Sequence, residues 1–282
     1  MTGLASLLAL LSSITYGTAD FLGGLAARRH TSVIAVVIVS QAAGLVLLIV
    51  MLPLLPTASP VARDFLWGAA GGLAGSMGLA LLYRGLAIGV MSVVAPITAV
   101  CSLIFPLAAG LMLGERPAPK AVLGVLLAVV AIVLISRTGE DEDGKRATAG
   151  VGVAIASGIA IGVFLVCLQR TGPEAGLWPL VPARVVSVSL CLLAGMIRRE
   201  ALVPRRSAMP LVVGAGALDM AANVLYLVAV RKGPLGLVAT LVSLYPASTI
   251  LLARMVLGER LRLVQHAGVA CATVAIVLIV AG

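Results

Sequence analysis

Charged and aromatic side chains are both scarce in this chain, at 11% and 4% of its 282 residues. A soluble domain carries about 25% charged residues, so a water-facing globular fold is excluded. Polar segments long enough to fold alone are missing too: the Arg198–Ser207 loop is only about ten residues, far short of a domain. No G-x-x-x-x-G-K-[ST] loop occurs, which excludes a nucleotide-driven motor of the P-loop kind within this chain. The four cysteines, Cys101, Cys167, Cys191 and Cys271, fall inside apolar runs at spacings that fit neither a metal site nor a disulfide framework. We read them as small hydrophobes. The two histidines, His30 and His266, have no partner motif, so an intramembrane enzyme would lack its nucleophile or metal cluster. No catalytic role, cofactor or metal is expected.

What is present is apolar. The chain is 61% hydrophobic with a mean hydropathy of +1.17 and 31 glycines, a composition suited to helices packed closely in lipid. Apolar runs of roughly the 20 residues needed to cross a bilayer fall near 4–26, 33–55, 65–86, 91–113, 119–136, 149–168, 177–197, 208–230, 235–257 and 262–281. The expected fold is an all-α polytopic membrane protein of ten transmembrane helices. The first run is too long for the apolar core of a cleavable signal and no basic residue precedes it, so it is expected to remain as a span.

The chain says much the same thing twice. Residues 89–116 (GVMSVVAPITAVCSLIFPLAAGLMLGER) align without a gap to 233–260 (GPLGLVATLVSLYPASTILLARMVLGER) at an offset of 144, with 9 of 28 positions identical. Self-similarity at half the chain length means two copies of one unit. Five spans per copy is an odd number, so the halves are expected to enter the membrane in opposite senses, an inverted-topology repeat with its site between the halves. The domains expected are 1–136 and 149–282, joined by a polar linker at 137–148 whose acidic run Glu140–Asp143 reads as a solvated charge block.

Polar groups inside spans carry the functional signal, because each costs free energy unless paired or wet. Asp20 lies in the first span with Tyr16 and Ser12 on the same helix face; Asp219 lies in the eighth with Asn223 and Tyr226 on one face. Arg184 lies within the seventh and is expected to pair one of the two aspartates. At the 144-residue offset Asp219 corresponds to Gly75 and Asp20 to Phe164, so these charges are not part of the duplicated scaffold. A structural ion pair and a solute- or proton-binding surface are the two readings of this group.

Pro96 and Pro106 in the fourth span and Pro246 in the ninth are expected to interrupt their helices, freeing carbonyls that hydroxyls such as Thr98, Ser102, Ser243, Tyr245 and Thr249 could cap. These prolines are the candidate gating kinks. The glycine-rich stretch from Gly68 to Gly78 reads as a close helix contact. Glu115-Arg116 and Glu259-Arg260 read as helix-boundary markers, with a gate as the alternative.

Ala239, Leu241, Leu244, Tyr245, Pro246 and the closing Leu257–Arg260 form a pattern that resembles the EamA-type domain of the drug/metabolite transporter superfamily. The first copy departs from it, with Cys101-Ser102 in place of Tyr-Pro and Phe105-Pro106 later. The resemblance implies a secondary carrier in the plasma (inner) membrane, often an exporter of amino acids or related metabolites, working by alternating access of a central cavity. On that reading the solute-binding residues are Tyr16, Asp20, Arg184, Asp219, Asn223, Tyr226, Ser243 and Tyr245. Asp219 and Asn223 would take an amino group and Arg184 a carboxylate, and a coupling proton would ride on Asp20 or Asp219. The partners are then a small-molecule solute, the lipid bilayer and protons, with the oligomeric state left open. The net charge of +9 sits in loops and needs no nucleic acid. A multidrug carrier for cationic compounds is the alternative, opposed by the low aromatic content.

The family implies cytoplasmic termini. Loop charge points the other way, since Arg28, Arg29, Lys145, Arg146, Arg198, Arg199, Arg205 and Arg206 would then lie outside, against the positive-inside rule. The family expectation is adopted here.

Overall fold

The computed structural model describes residues 2–29, 32–54, 58–112, 119–136, 142–232, 241–242, 244–259 and 261–280. These residues are almost entirely α-helical, and no strand occurs among them. The helices are α1 (Thr2–Arg28), α2 (Val33–Met51), α3 (Ala62–Ile88), α4 (Met91–Met112), α5 (Pro119–Ser136), α6 (Glu142–Gln169), α7 (Leu180–Arg198), α8 (Met209–Lys232), α9 (Pro246–Leu257) and α10 (Leu263–Val280). Among the described residues six helices are long and apolar enough to cross a membrane: Leu4–Arg28, Val33–Leu54, Ala62–Ile88, Ala149–Leu168, Leu180–Arg198 and Arg206–Ala229. The other expected spans run partly through residues or side chains outside the described set.

Helix ends follow local chemistry. Ser32 accepts a hydrogen bond from the Ala35 amide at 3.4 Å and so opens α2. Gly258, at φ 67°, closes α9 in the left-handed conformation that glycine adopts without strain. Two expectations shift. α7 begins at Leu180 rather than near 177, because a 3₁₀ turn at Pro173–Ala175 and Gly176, at φ 58° and ψ −134°, precede it. The polar linker is helical from Glu142 onward, since α6 extends into it.

The bundle is apolar outside, and its largely apolar core encloses a few polar and charged side chains. Leu7 and Ile14 of α1, Val46 and Val50 of α2, Leu66 and Met77 of α3, and Leu123 and Leu126 of α5 are exposed, while Ser12, Asp20, Gln41, Arg184 and Asn223 are buried. An exterior this apolar over buried charges is unlike a soluble protein and suits a lipid surround.

The two halves interleave. α1 packs along α8 and α6 along α3, so each half's first helix lies against the other half's third. Similar contacts recur in both halves, with α3 and α8 matched at an offset of 144 and their partners shifted by one residue. Ser12 Oγ donates to the Ala222 carbonyl at 2.9 Å, and Ser157 Oγ donates to the Gly78 carbonyl, the counterpart of Ala222, at 2.8 Å. Gly72 and Gly216 are also counterparts. A Cβ on Gly72 would lie 2.4 Å from the Ala183 carbonyl oxygen of α7, and one on Gly216 would lie 2.0 Å from the Ser40 carbonyl oxygen of α2. Only glycine permits backbones to approach this closely.

The glycines of α3 serve two neighbours at once. Gly68 and Gly72 face α7, while Gly71, Gly75 and Gly78 face Phe164, Cys167 and Ile161 of α6. The close contact read from the sequence is therefore a double one.

Candidate functional site

Arg184 lies one turn into α7, and its buried side chain reaches between α2 and α8. Its Nη1 donates to Gln41 Oε1 of α2 and its Nη2 donates to Asp219 Oδ2 of α8 at 2.5 Å. The side chains are 8% and 14% exposed, so the pair is held largely away from bulk solvent. A charge there is tolerable only when paired. Three helices thus meet on one guanidinium. The sequence anticipated a pair with one of the aspartates, and it is Asp219 that Arg184 takes. Gln41 went unread, because a lone amide in an otherwise apolar helix gives no signal until its partner helix is known.

Asp20 is 7% exposed and forms no ion pair among the described residues. Two glycines flank it on α1. A Cβ on Gly17 would lie 2.2 Å from the Tyr245 carbonyl oxygen, and one on Gly23 would lie 2.2 Å from Tyr83 Cζ. The Tyr245 backbone and the Tyr83 ring therefore press on α1 either side of Asp20, with Tyr16 one turn away. The charge of Asp20 is felt at Tyr16, Tyr83 and Tyr245, and those of Asp219 and Arg184 at Tyr16 and Tyr83. Tyr226 also acts on Tyr16. These residues form one electrostatic neighbourhood.

Not every expected ligand is free. Asn223 Nδ2 donates to the Asp219 carbonyl on its own helix at 2.8 Å, leaving its amide oxygen for other partners. Thr98 and Thr249 join helices: Thr98 Oγ1 donates to the Ala154 carbonyl at 3.2 Å, and Thr249 Oγ1 to the Gly17 carbonyl at 2.9 Å. Ser102 donates to Ala99 within α4. Ser243 lies outside the described residues. Two other buried hydroxyls, Tyr83 Oη and Ser187 Oγ, have no hydrogen-bond partner among the described residues. Ser40 lies beside Tyr83; its hydroxyl donates to the Val37 carbonyl at 3.2 Å, which leaves its oxygen lone pairs open to a donor. Tyr83 was not singled out from the sequence, where it reads as an ordinary helix residue.

The prolines behave unequally. Pro96 and Pro106 lie within α4, which is helical from Met91 to Met112. Surrounding protein lets a membrane helix carry an interior proline without breaking. Pro246 does mark a break: residues 244–245 form a turn and α9 starts at Pro246.

One end of the bundle is tied by Glu259. Its carboxylate accepts from the Met91 amide at 3.1 Å, from the Ser92 amide at 3.0 Å and from Ser92 Oγ at 3.0 Å, capping the start of α4. It also pairs with Arg28 at 3.3 Å, and Arg28 in turn donates to the Leu86 and Gly89 carbonyls at the end of α3 at 3.0 and 2.6 Å. The end of α1, the end of α3, the start of α4 and the end of α9 therefore converge. Read from sequence as a helix-boundary marker, Glu259 instead crosses to a different helix. Its repeat counterpart, Glu115, lies outside the described residues.

The comparisons agree with this architecture. The model of the EamA-like transporter family matches residues 3–137 and again 148–281. No curated protein sequence matches the chain. A solved crystal structure resembles it with a TM-score of 0.63 at 15% identity, covering 97% of this chain and 95% of its own, a likeness that speaks for the fold alone. Two matches that together span nearly the whole chain, on a helical bundle with an apolar exterior and a charged interior, make it a membrane transporter by family: the chain belongs to the EamA-like transporter family.

Proposed function

We propose that this protein is a secondary transporter that moves small organic solutes, amino acids or related metabolites, out of the cell across the plasma membrane. Ten spans form two inverted five-helix halves, and the solute binds in a central cavity between them. The observation that carries this reading is the Arg184–Asp219 pair with Asp20 beside it, a charged group enclosed by α1, α2, α7 and α8 in a bundle whose outer surface is apolar. Packing alone does not require such charges within a membrane.

The grouping of helix ends supports the inverted arrangement. The ends of α1, α3 and α9 and the start of α4 meet at Glu259, while the end of α6 meets the start of α3, where Asp64 accepts from the Gly172 amide at 2.8 Å and the Val61 amide at 3.0 Å. α1 and its repeat counterpart α6 then finish at opposite ends. Alternating access would require the Glu259 knot to open whenever that end admits solute. Tyr16, Asp20, Arg184, Asp219, Asn223, Tyr226, Ser243 and Tyr245 line the solute path, and a coupling proton would be carried by Asp20 or Asp219.

Counterflow of labelled amino acids in proteoliposomes tests the reading. Saturable exchange above empty vesicles is expected. Its absence for every solute tried, with folded protein, would count against a transporter of metabolites.

A further inference from the structure

We propose that Asp20 is the seat of an organic ammonium group, held in a cage of Tyr16, Tyr83 and Tyr245. The proposal rests on the transporter reading for its setting and adds the chemical class of the solute. It starts from a charge count. Arg184 is satisfied by Asp219 and Gln41, so that pair is neutral and no cation remains to answer Asp20 among the described residues. With Asp20 ionised, the interior group of Asp20, Asp219 and Arg184 carries one negative charge in excess, which either a proton or a bound cation offsets, and an ammonium is the cation an aromatic setting favours.

The surroundings suit an ammonium better than a metal ion. No group of three or more metal-ligating side chains occurs among the described residues. Instead, the Tyr83 ring packs across Gly23 and the Tyr245 backbone across Gly17, one on each side of Asp20. Aromatic faces attract ammonium groups and tolerate the hydrocarbon attached to them. The Tyr83 hydroxyl, on a residue with no exposed surface, has no hydrogen-bond partner among the described residues, and buried polar groups in that state mark places where a ligand or water belongs. Ser187 Oγ, one turn beyond Arg184 on α7, is a second such group. The charged and titratable groups that face this site are Tyr16 on α1, Tyr83 on α3, Cys101 on α4, Arg184 on α7, Asp219 and Tyr226 on α8, and Tyr245 ahead of α9. This assignment moves the cationic end of the solute from Asp219 and Asn223 to Asp20.

Three probes of similar size but different charge test it: phenethylammonium, 2-phenylethanol and 3-phenylpropanoate. Their equilibrium binding to the full chain in lipid nanodiscs is measured by calorimetry. Phenethylammonium should bind at least about ten-fold more tightly than either of the others. Asp20→Asn should lose that preference and Asp20→Glu should keep it. The charge series on the unaltered protein stands even where Asp20→Asn fails to fold. Equal or tighter binding of the carboxylate, binding of none of the three, or an undiminished preference in folded Asp20→Asn would overturn the proposal. Counterflow separates it from the broader reading. Exchange of solutes without ammonium preference leaves the transporter and removes the ammonium site, whereas ammonium binding without exchange of any solute does the reverse.

Discussion

The crossing of α1 with α8 and the crossing of α6 with α3 are one contact made twice, yet only one of them is charged. At the α6–α3 crossing a Cβ on Gly75 would lie 3.1 Å from the Phe164 ring. The counterpart of Gly75 is Asp219; the contacts that match Ser12 with Ser157 and Ser40 with Ala183 place Leu165 opposite Asp20 and Gln41 opposite Arg184. Neither acid nor arginine is therefore needed to pack this contact in one half. The acids and the arginine in the other half are additions that the scaffold does not need, and their presence there is best explained by what the protein binds.

Copying one crossing onto the other gives the largest expected effects. Asp219→Gly or Arg184→Gln alone leaves a buried charge without its partner and should destabilise the protein by about 3–5 kcal/mol. The triple variant Asp20→Leu, Arg184→Gln, Asp219→Gly carries the residues of the uncharged half and should recover most of that loss while counterflow stays absent. Thermal unfolding in detergent, read beside proteoliposome exchange, checks both. A triple variant that still transports would show the charges to be dispensable.

Glu259→Gln comes next. It weakens charge-assisted hydrogen bonds to Met91, Ser92 and Arg28, with an expected cost of about 1.5–3 kcal/mol. The same change should raise the labelling of a cysteine placed at Ser92 by a membrane-impermeant thiol reagent, as that end opens more often. Unchanged labelling would return Glu259 to the role of a boundary marker.

The smallest effects test the shared scaffold. Gly72→Ala and Gly216→Ala each force a methyl against a partner backbone and should cost similar amounts, about 1–3 kcal/mol. Gly152→Ala, where the new methyl meets nothing within 4 Å, should be neutral or stabilise by roughly 0.5–1 kcal/mol through helix propensity. Unequal costs at Gly72 and Gly216 would break the equivalence of the two crossings.

Much of this was legible in the chain because lipid simplifies the code. Apolar runs mark helices, and a buried Asp or Arg stands out against them, which is why Asp20, Arg184 and Asp219 were found and paired in outline. The glycines at Gly68, Gly72 and Gly75 announced close packing by their spacing. What was hidden depends on which helices become neighbours. Gln41 gains meaning only beside α7, Tyr83 only across Gly23, and Glu259 only at the start of α4, reached across the repeat boundary. The prolines gave a coarser signal, since α4 is helical across Pro96 and Pro106 whereas a turn precedes the start of α9 at Pro246.

The interleaving of the halves has a consequence for biogenesis. α1 leaves the ribosome before α8, the helix of the second half that covers its polar face. Until α8 arrives, the Ser12 side of α1 has no cover, so α1 must wait in the translocon or in the bilayer with that face open. α3 must likewise wait for α6 to fill its glycine surface. A fragment ending between the repeats would expose both faces at once, and quality-control proteases should clear it far faster than the full chain.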